Sequence, residues 1–275
     1  MIQYFTSNNQ YRIDFNLNVK DILKPFKQEV LDEIYRLYRL YGNMPVLYSG
    51  GMDSTFIVRS LLELGIKPST LTISFSKDHS DEECEMIKQK CKKFGIDRPE
   101  FFYIDEAGFF NHIDYLIDIN KPLPMLHGYF MDYLLTTFRY QKFFTGMSCE
   151  YKCLNGVVKM PPGPFMVMQN NPGQLYGFTT DKTFLSYFKH KLFIDNYKKI
   201  KEPPITIRDM VHIRDLIYMD CYPDITKQEK SDVQDWKEYI RKPFLEKYAP
   251  AIKQKFPWVF DVKPCLLKAD FLVEL

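Results

Sequence analysis

Neither GxxxxGK[ST] nor GxGxxG occurs in these 275 residues. Their absence removes the phosphate loop of kinases and motor ATPases, and also the dinucleotide fingerprint. No CxxC pair exists among the six cysteines, Cys84, Cys91, Cys149, Cys153, Cys221 and Cys265. Zinc ribbons and disulfide-dense secreted scaffolds are therefore not expected, and the thiols read as free ones in a reducing compartment. No apolar run approaches the ~18 residues of a membrane span. The start, MIQYFTSNNQYRIDF, lacks the basic head and apolar centre of a signal peptide. A cytoplasmic protein with no membrane partner is the expectation. Strong charge of one sign is missing too, with a net charge of +2. Residues 1–140 hold 16 Lys/Arg against 19 Asp/Glu, leaving 21 against 16 for residues 141–275. That mild basic excess suits either a solvated face or an anionic partner.

Aromatic residues are plentiful, with 23 Phe and 19 Tyr, and this argues first for an aromatic core. Residues 2–15 read as two strands around a polar turn. Ile22, Phe26, Val30, Ile34, Leu37 and Tyr41 recur at three- and four-residue steps and predict an amphipathic helix stopped by Gly42-Asn43. An alternation follows. The strands PVLY, TLTISF, EFFYI and KFFTG are separated by the helices DSTFIVRSLLELG, DEECEMIKQKCKKFG, residues 107–119 and GYFMDYLLTTFRY. Short apolar strands alternating with helices predict an α/β fold, a mainly parallel sheet with helices on both faces. Past residue 150 the pattern changes. Asn155-Gly156 predicts a hairpin and Asn171-Pro172-Gly173 a turn, and from Asp181 the chain reads as mostly helical. The expected division is a hairpin and helix at 1–43, a nucleotide-binding α/β core at 44–150, and hairpins plus a helical substrate or partner region at 151–275.

LYSGGMDSTF, residues 47–56, joins the first core strand to its helix. Ligands of open parallel sheets sit outside the carboxyl ends of the strands. Gly50 and Gly51 let the backbone turn sharply and approach a ligand closely. The free N–H groups and positive dipole end of the helix face an anion, and Ser49 and Ser54 add hydroxyls. Asp53 would repel a bare phosphate, so its presence predicts Mg²⁺ between carboxylate and phosphate oxygens. A helix merely capped after a tight turn is the plainer alternative.

SGGMDS resembles the SGGxDS signature of the PP-loop ATP pyrophosphatase superfamily, also called adenine nucleotide α-hydrolase-like. The resemblance spans roughly residues 44–151 and is nearest in look to the synthetase domain of asparagine synthetase. It implies a Rossmann-like, HUP-type sheet. It also implies an enzyme that uses ATP to adenylate a carbonyl or carboxyl oxygen, releases pyrophosphate, and lets a nitrogen or sulfur nucleophile displace AMP. By that resemblance Ser49, Gly50, Gly51, Asp53 and Ser54 hold the pyrophosphate portion, with Ser49 and Asp53 in catalytic roles and Asp53 on Mg²⁺. Ile73, Ser74 and Phe75, at the end of the second strand, would pass the adenine. FFTGMSCEY resembles the family's LTGEGADELFGGY strand and loop, which brings in Gly146 for ATP and Glu150 for metal. Met147 and Tyr151 stand where that pattern has carboxylates.

Read as it stands, the chain leaves no room for the family's glutaminase domain. Nitrogen would then come from free ammonia, an amine substrate, or a partner that supplies ammonia; a homo-oligomer is also open. The acceptor is a small molecule or a nucleic acid. Lys182, Lys189, His190, Lys191, Lys198, Lys199 and Lys201, interleaved with aromatics, fit an RNA-binding face or an ordinary amphipathic helix. One of these lysines, or Arg208, could neutralise the departing pyrophosphate. Cys149 and Cys153 lie near the expected site, where sulfur transfer would use them, but Cys153 also fits as a small strand residue. The alternatives to a C–N ligase are a tRNA- or nucleobase-modifying enzyme and a nucleotide binder without catalysis.

Overall fold

The computed structural model describes residues 2–7, 10–15, 22–74, 81–123, 126–137, 142–146, 152–154, 157–160, 174–176, 181–199, 207–225, 240–257 and 265–268. Strands β1 (Ile2–Ser7) and β2 (Gln10–Phe15) pair antiparallel, Ile2 opposite Phe15, as the predicted hairpin. Helix α1 (Phe26–Tyr41) buries Phe26, Val30, Ile34 and Leu37. Ile22 does not belong to that stripe. It precedes the helix and is 93% exposed, because Pro25 occupies the N-cap and the helix begins one residue later.

The core sheet comprises β3 (Val46–Leu47), β4 (Thr70–Ser74), β5 (Glu100–Tyr103), β6 (Phe143–Thr145) and β9 (Gln174–Tyr176). Their order is β5-β4-β3-β6-β9, and every pairing is parallel. Helices α2 (Met52–Glu63) and α3 (Asp81–Lys93) carry the chain outward from β3 to β5. Helices α4 (Glu106–Asp118) and α5 (Leu126–Thr137) carry it back to β6, on the other side of β3. Crossovers of one hand that reverse direction must cover opposite faces of the sheet.

The cores follow that rule. Val46 and Phe144 pack with α1, α2, α3 and later helices, whereas Leu71 and Phe143 pack with Met131 and Leu134 of α5. A third apolar cluster joins α4 to Ile240, Phe244, Tyr248 and Ile252. These last residues belong to a helical segment whose π-helical turn, Phe244–Tyr248, runs into α9 (Ala249–Lys255). The fold is thus α/β around an all-parallel sheet.

Residues beyond 150 enter both architecture and core. β7 (Lys152–Leu154) and β8 (Val157–Met160) pair antiparallel with Leu154 opposite Val157, which fits the hairpin expected at Asn155-Gly156, and β10 (Cys265–Lys268) adds to β8. Strand β9, which the turn-rich composition of residues 151–180 hides, is the fifth strand of the parallel sheet. Helices α6 (Asp181–Phe188), α7 (Lys191–Tyr197) and α8 (Ile207–Cys221) place Phe188, Phe193, Ile213 and Ile217 in the same cluster as α1 and α2. No helix among the described residues is long and apolar enough to cross a membrane.

Candidate functional site

The strand order reverses between β3 and β6, the point at which an open parallel sheet leaves a crevice outside its strand ends. Ser49–Ser54 leaves β3 there, and Gly146 ends β6 there. Tyr48 extends β3 through its N–H to the Leu71 carbonyl, 2.9 Å. Gly50 then adopts φ +68°, the left-handed conformation that L side chains rarely enter. Gly51 is the N-cap of α2, and among the described residues no side chain caps that helix. The first-turn N–H groups have no partner within the helix itself. Ser49 is exposed at the mouth of the turn, its Oγ 3.4 Å from both the Gly51 N–H and the Ser54 Oγ, while buried Ser54 donates back to the Gly51 carbonyl at 3.2 Å.

Gly146 closes the corner from the β6 side. A Cβ there would lie 2.4 Å from both the Asp53 carbonyl carbon and the Ser54 nitrogen, closer than any side chain tolerates. The end of β6 is therefore pressed directly on the first turn of α2. Beside it, Thr145 is 3% exposed and its Oγ1 has no hydrogen-bond partner among the described residues.

Asp53 turns its carboxylate beneath α2 toward α8. Oδ2 accepts from Arg214 Nη1 at 3.2 Å, and Arg214 also donates through Nε and Nη2 to Oδ1 of buried Asp215, at 3.2 and 2.8 Å. Tyr218 hydrogen-bonds the Asp53 carboxylate, and its ring stacks on Phe56 at 4.2 Å between centroids. Burial pushes the Asp53 carboxyl up to about 6, against the opposing pull of Arg214 and Tyr218. Its Oδ1 is buried and without a hydrogen-bond partner among the described residues. Asp53 and Asp215 thus share the Arg214 guanidinium, and one Asp53 oxygen is left without a hydrogen-bond partner among the described residues. Such a group suits a divalent cation shared with phosphate oxygens.

On the opposite side, Lys90 of α3 donates to the Gly50 carbonyl at 2.6 Å. Burial lowers its pKa, with Lys93 adding to the effect. Glycine backbone, helix N-terminus, acid, arginine and lysine thus meet at one corner.

The other expected residues fall as follows. Ile73 directs its side chain into the apolar clusters with Leu71 and Phe102, so any contact of Ile73 with a base would be through its main chain. The Ser74 carbonyl accepts from Ile104 N–H at 2.7 Å. Phe75, Cys149 and Glu150 lie outside the described residues, as do Met147 and Tyr151; of Cys153 only its place in β7 is described. Among the described residues no three metal-ligating side chains cluster, and Cys84, Cys91 and Cys221 are buried thiols outside any disulfide. Arg208 is exposed, as are Lys182, Lys189, Lys191, Lys198 and Lys199; from the helices after residue 181 it is Arg214 that reaches the corner among the described residues. The sequence carries a signal for it. Arg214 lies four residues from both buried Met210 and buried Tyr218, a charge set into an apolar stripe, whereas Arg208 lies outside it.

No family model matches the sequence. No curated protein matches it either.

Proposed function

We propose that the chain is an ATP-dependent adenylating enzyme of the PP-loop ATP pyrophosphatase kind, built on a Rossmann-like, HUP-type sheet. The observation that carries this reading is the uncapped start of α2 at the β3/β6 switch point, glycine-lined on both sides, with an orphaned buried carboxylate oxygen on its first turn. A helix left open in this way favours a phosphate chain, and the orphaned acid favours a metal bridged to it.

In the proposed reaction a carboxylate oxygen of the acceptor attacks the α-phosphorus of ATP. The bond from that phosphorus to the bridging oxygen breaks, and pyrophosphate leaves with the electron pair. An amine then attacks the acyl carbon, AMP departs with its oxygen, and the amine loses a proton. The main-chain N–H groups of Gly50, Gly51 and Met52 and the Ser49 hydroxyl bind the departing phosphates. Asp53 would hold Mg²⁺ through Oδ1, and the metal, when bound, neutralises phosphate charge. Arg214 and Lys90 add fixed positive charge at the same corner, where charge develops on the leaving group. A C–N bond is favoured over sulfur transfer, since the resemblance is nearest to asparagine synthetase and Cys153 fits as a strand residue of β7. The helices after residue 181, and whatever small molecule or nucleic acid they admit, set the acceptor.

ATP–pyrophosphate exchange tests the reading. Exchange should require Mg²⁺ and fall at least about 100-fold in Asp53→Asn, on the scale of lost electrostatic stabilisation. Release of ADP in place of AMP, or no adenine nucleotide binding at all, overturns it. The grip of Arg214 on Asp53 also suits a protein that binds nucleotide without turning it over; tight ATP binding with no exchange, given a metabolite pool or RNA as acceptor, would favour that second reading.

A further inference from the structure

Lys90 stands forty residues from the glycine turn, and no part of the SGGMDS pattern points to it. Its stem lies along Gly50, with Cδ 3.5 Å and Nζ 3.6 Å from where a Cβ would sit, and Ile87 Cγ1 fills the adjoining space at 3.4 Å. The ammonium reaches the Gly50 carbonyl oxygen at 2.6 Å. A trans peptide is planar, so the carbonyl of one residue and the N–H of the next point in opposite directions. A carbonyl drawn toward α3 therefore sends the Gly51 N–H the other way. Among the described residues it meets only a long contact there, 3.4 Å, with the exposed Ser49 Oγ. Gly50 has no Cβ to resist peptide rotation, and its positive φ is not enforced by a side chain. Some outside group must hold the plane, and Lys90 is placed to do it.

We infer that Lys90 is a positioning residue: by holding the Gly50 carbonyl it fixes the Gly50–Gly51 peptide so that the Gly51 N–H is presented to a bound phosphate. This rests on the phosphate-binding reading above and gives Lys90, on a different helix, a defined task beyond its charge. Half-burial of the stem makes the arrangement rigid, and the fixed charge beside the turn adds attraction for an anion.

The test uses the full chain with ¹⁵N-labelled glycine, titrated with inorganic pyrophosphate and Mg²⁺. Lys90→Met keeps the stem and removes the donor; Lys90→Arg keeps a donor. In Lys90→Met the Gly51 resonance should move even without ligand, while Gly42, Gly65 and Gly95 stay in place. Pyrophosphate affinity should fall about ten-fold, the scale of one charge-assisted hydrogen bond, and Lys90→Arg should recover it to within about three-fold. Should Lys90→Met fail to fold, Lys90→Leu, which also lacks a donor, carries the same expectation. An unmoved Gly51 resonance with unchanged affinity overturns the inference while leaving nucleotide binding intact. A wild-type chain that binds neither pyrophosphate nor ATP overturns both.

Discussion

Helices α2 and α4 leave the same edge of one sheet, each directly after a parallel strand, and their first turns are finished in opposite ways. At α4 the N-cap Asp105 accepts from the Gly108 N–H at 2.8 Å, a complete side-chain cap. At α2 the N-cap is Gly51, no side chain among the described residues caps the turn, and the nearby acid, Asp53, is turned sideways to Arg214. A side-chain cap is worth about 1 kcal/mol, so α2 forgoes stability that α4 takes. The positions differ as well: α4 follows the edge strand β5, α2 follows β3 beside the switch point. On the proposed reading, a helix start that only has to be stable is closed by its own sequence, and one that has to receive an anion is left open.

The largest effect that would sharpen this contrast comes from methyl groups on two glycines. Gly146→Ala drives a Cβ into the backbone of Asp53 and Ser54 at 2.4 Å, and backbone in a packed first turn has nowhere to go. A loss of about 3 kcal/mol or more is expected by denaturant unfolding, together with loss of pyrophosphate binding. Gly108→Ala at α4 brings its Cβ within 2.9 Å of Asp105 Oδ2, the end of a side chain that can swing aside. It should lose little beyond the cap, about 1 kcal/mol, and leave binding untouched. Equal losses from the two substitutions would break the comparison.

Asp53 supplies the next effect, through pH. Its carboxyl is raised from an ordinary 3.8 to about 6, so the folded state holds the proton more tightly than the unfolded chain does. The linked stability is present below pH 3.8 and lost as pH rises through about 6. In chelator, wild type should lose stability relative to Asp53→Asn over that window by up to about 3 kcal/mol, at roughly 1.4 kcal/mol per unit. Parallel stability curves for the two proteins would mean that Arg214 balances the charge fully, and α2 would then hold no uncompensated acid.

Much of this corner was legible in the sequence because its signals are local. Gly50 and Gly51 mark the turn, PVLY and TLTISF mark β3 and β4, and Gly65 and Gly95, at φ +71° and +69°, end α2 and α3 where the pattern stops. Long-range placement was less legible. Strand β9 spans three residues and is bounded by turn signals, so only its pairing with β6 reveals it as part of the sheet. Arg214 and Lys90 sit on helices whose apolar periodicity predicts burial of their neighbours, and nothing local says that a charge among them will turn toward residue 50 or 53. Ile22 fits the helical spacing and still lies outside the helix, because Pro25 sets the start and spacing does not.

The smallest effect on stability is the sharpest on function: exchanging the two caps. Asp105→Ala removes the α4 cap and should lower stability by about 1 kcal/mol with pyrophosphate binding and ATP–pyrophosphate exchange unchanged. Gly51→Ser should do the reverse. The backbone at Gly51, φ −76° and ψ 171°, is one that serine adopts readily, and among the described residues a Cβ there meets only the Ser49 Oγ, at 3.3 Å. The new hydroxyl can accept from a first-turn N–H, as Asp105 does at α4, for a gain of a few tenths of a kcal/mol. That N–H is then spent within the helix and a side chain occupies the space above it. Pyrophosphate binding should weaken about ten-fold or more, with the unfolding midpoint unchanged or slightly higher. A Gly51→Ser protein that binds pyrophosphate as the wild type does would mean that the open turn of α2 serves no ligand, and that its difference from α4 is only one of local packing.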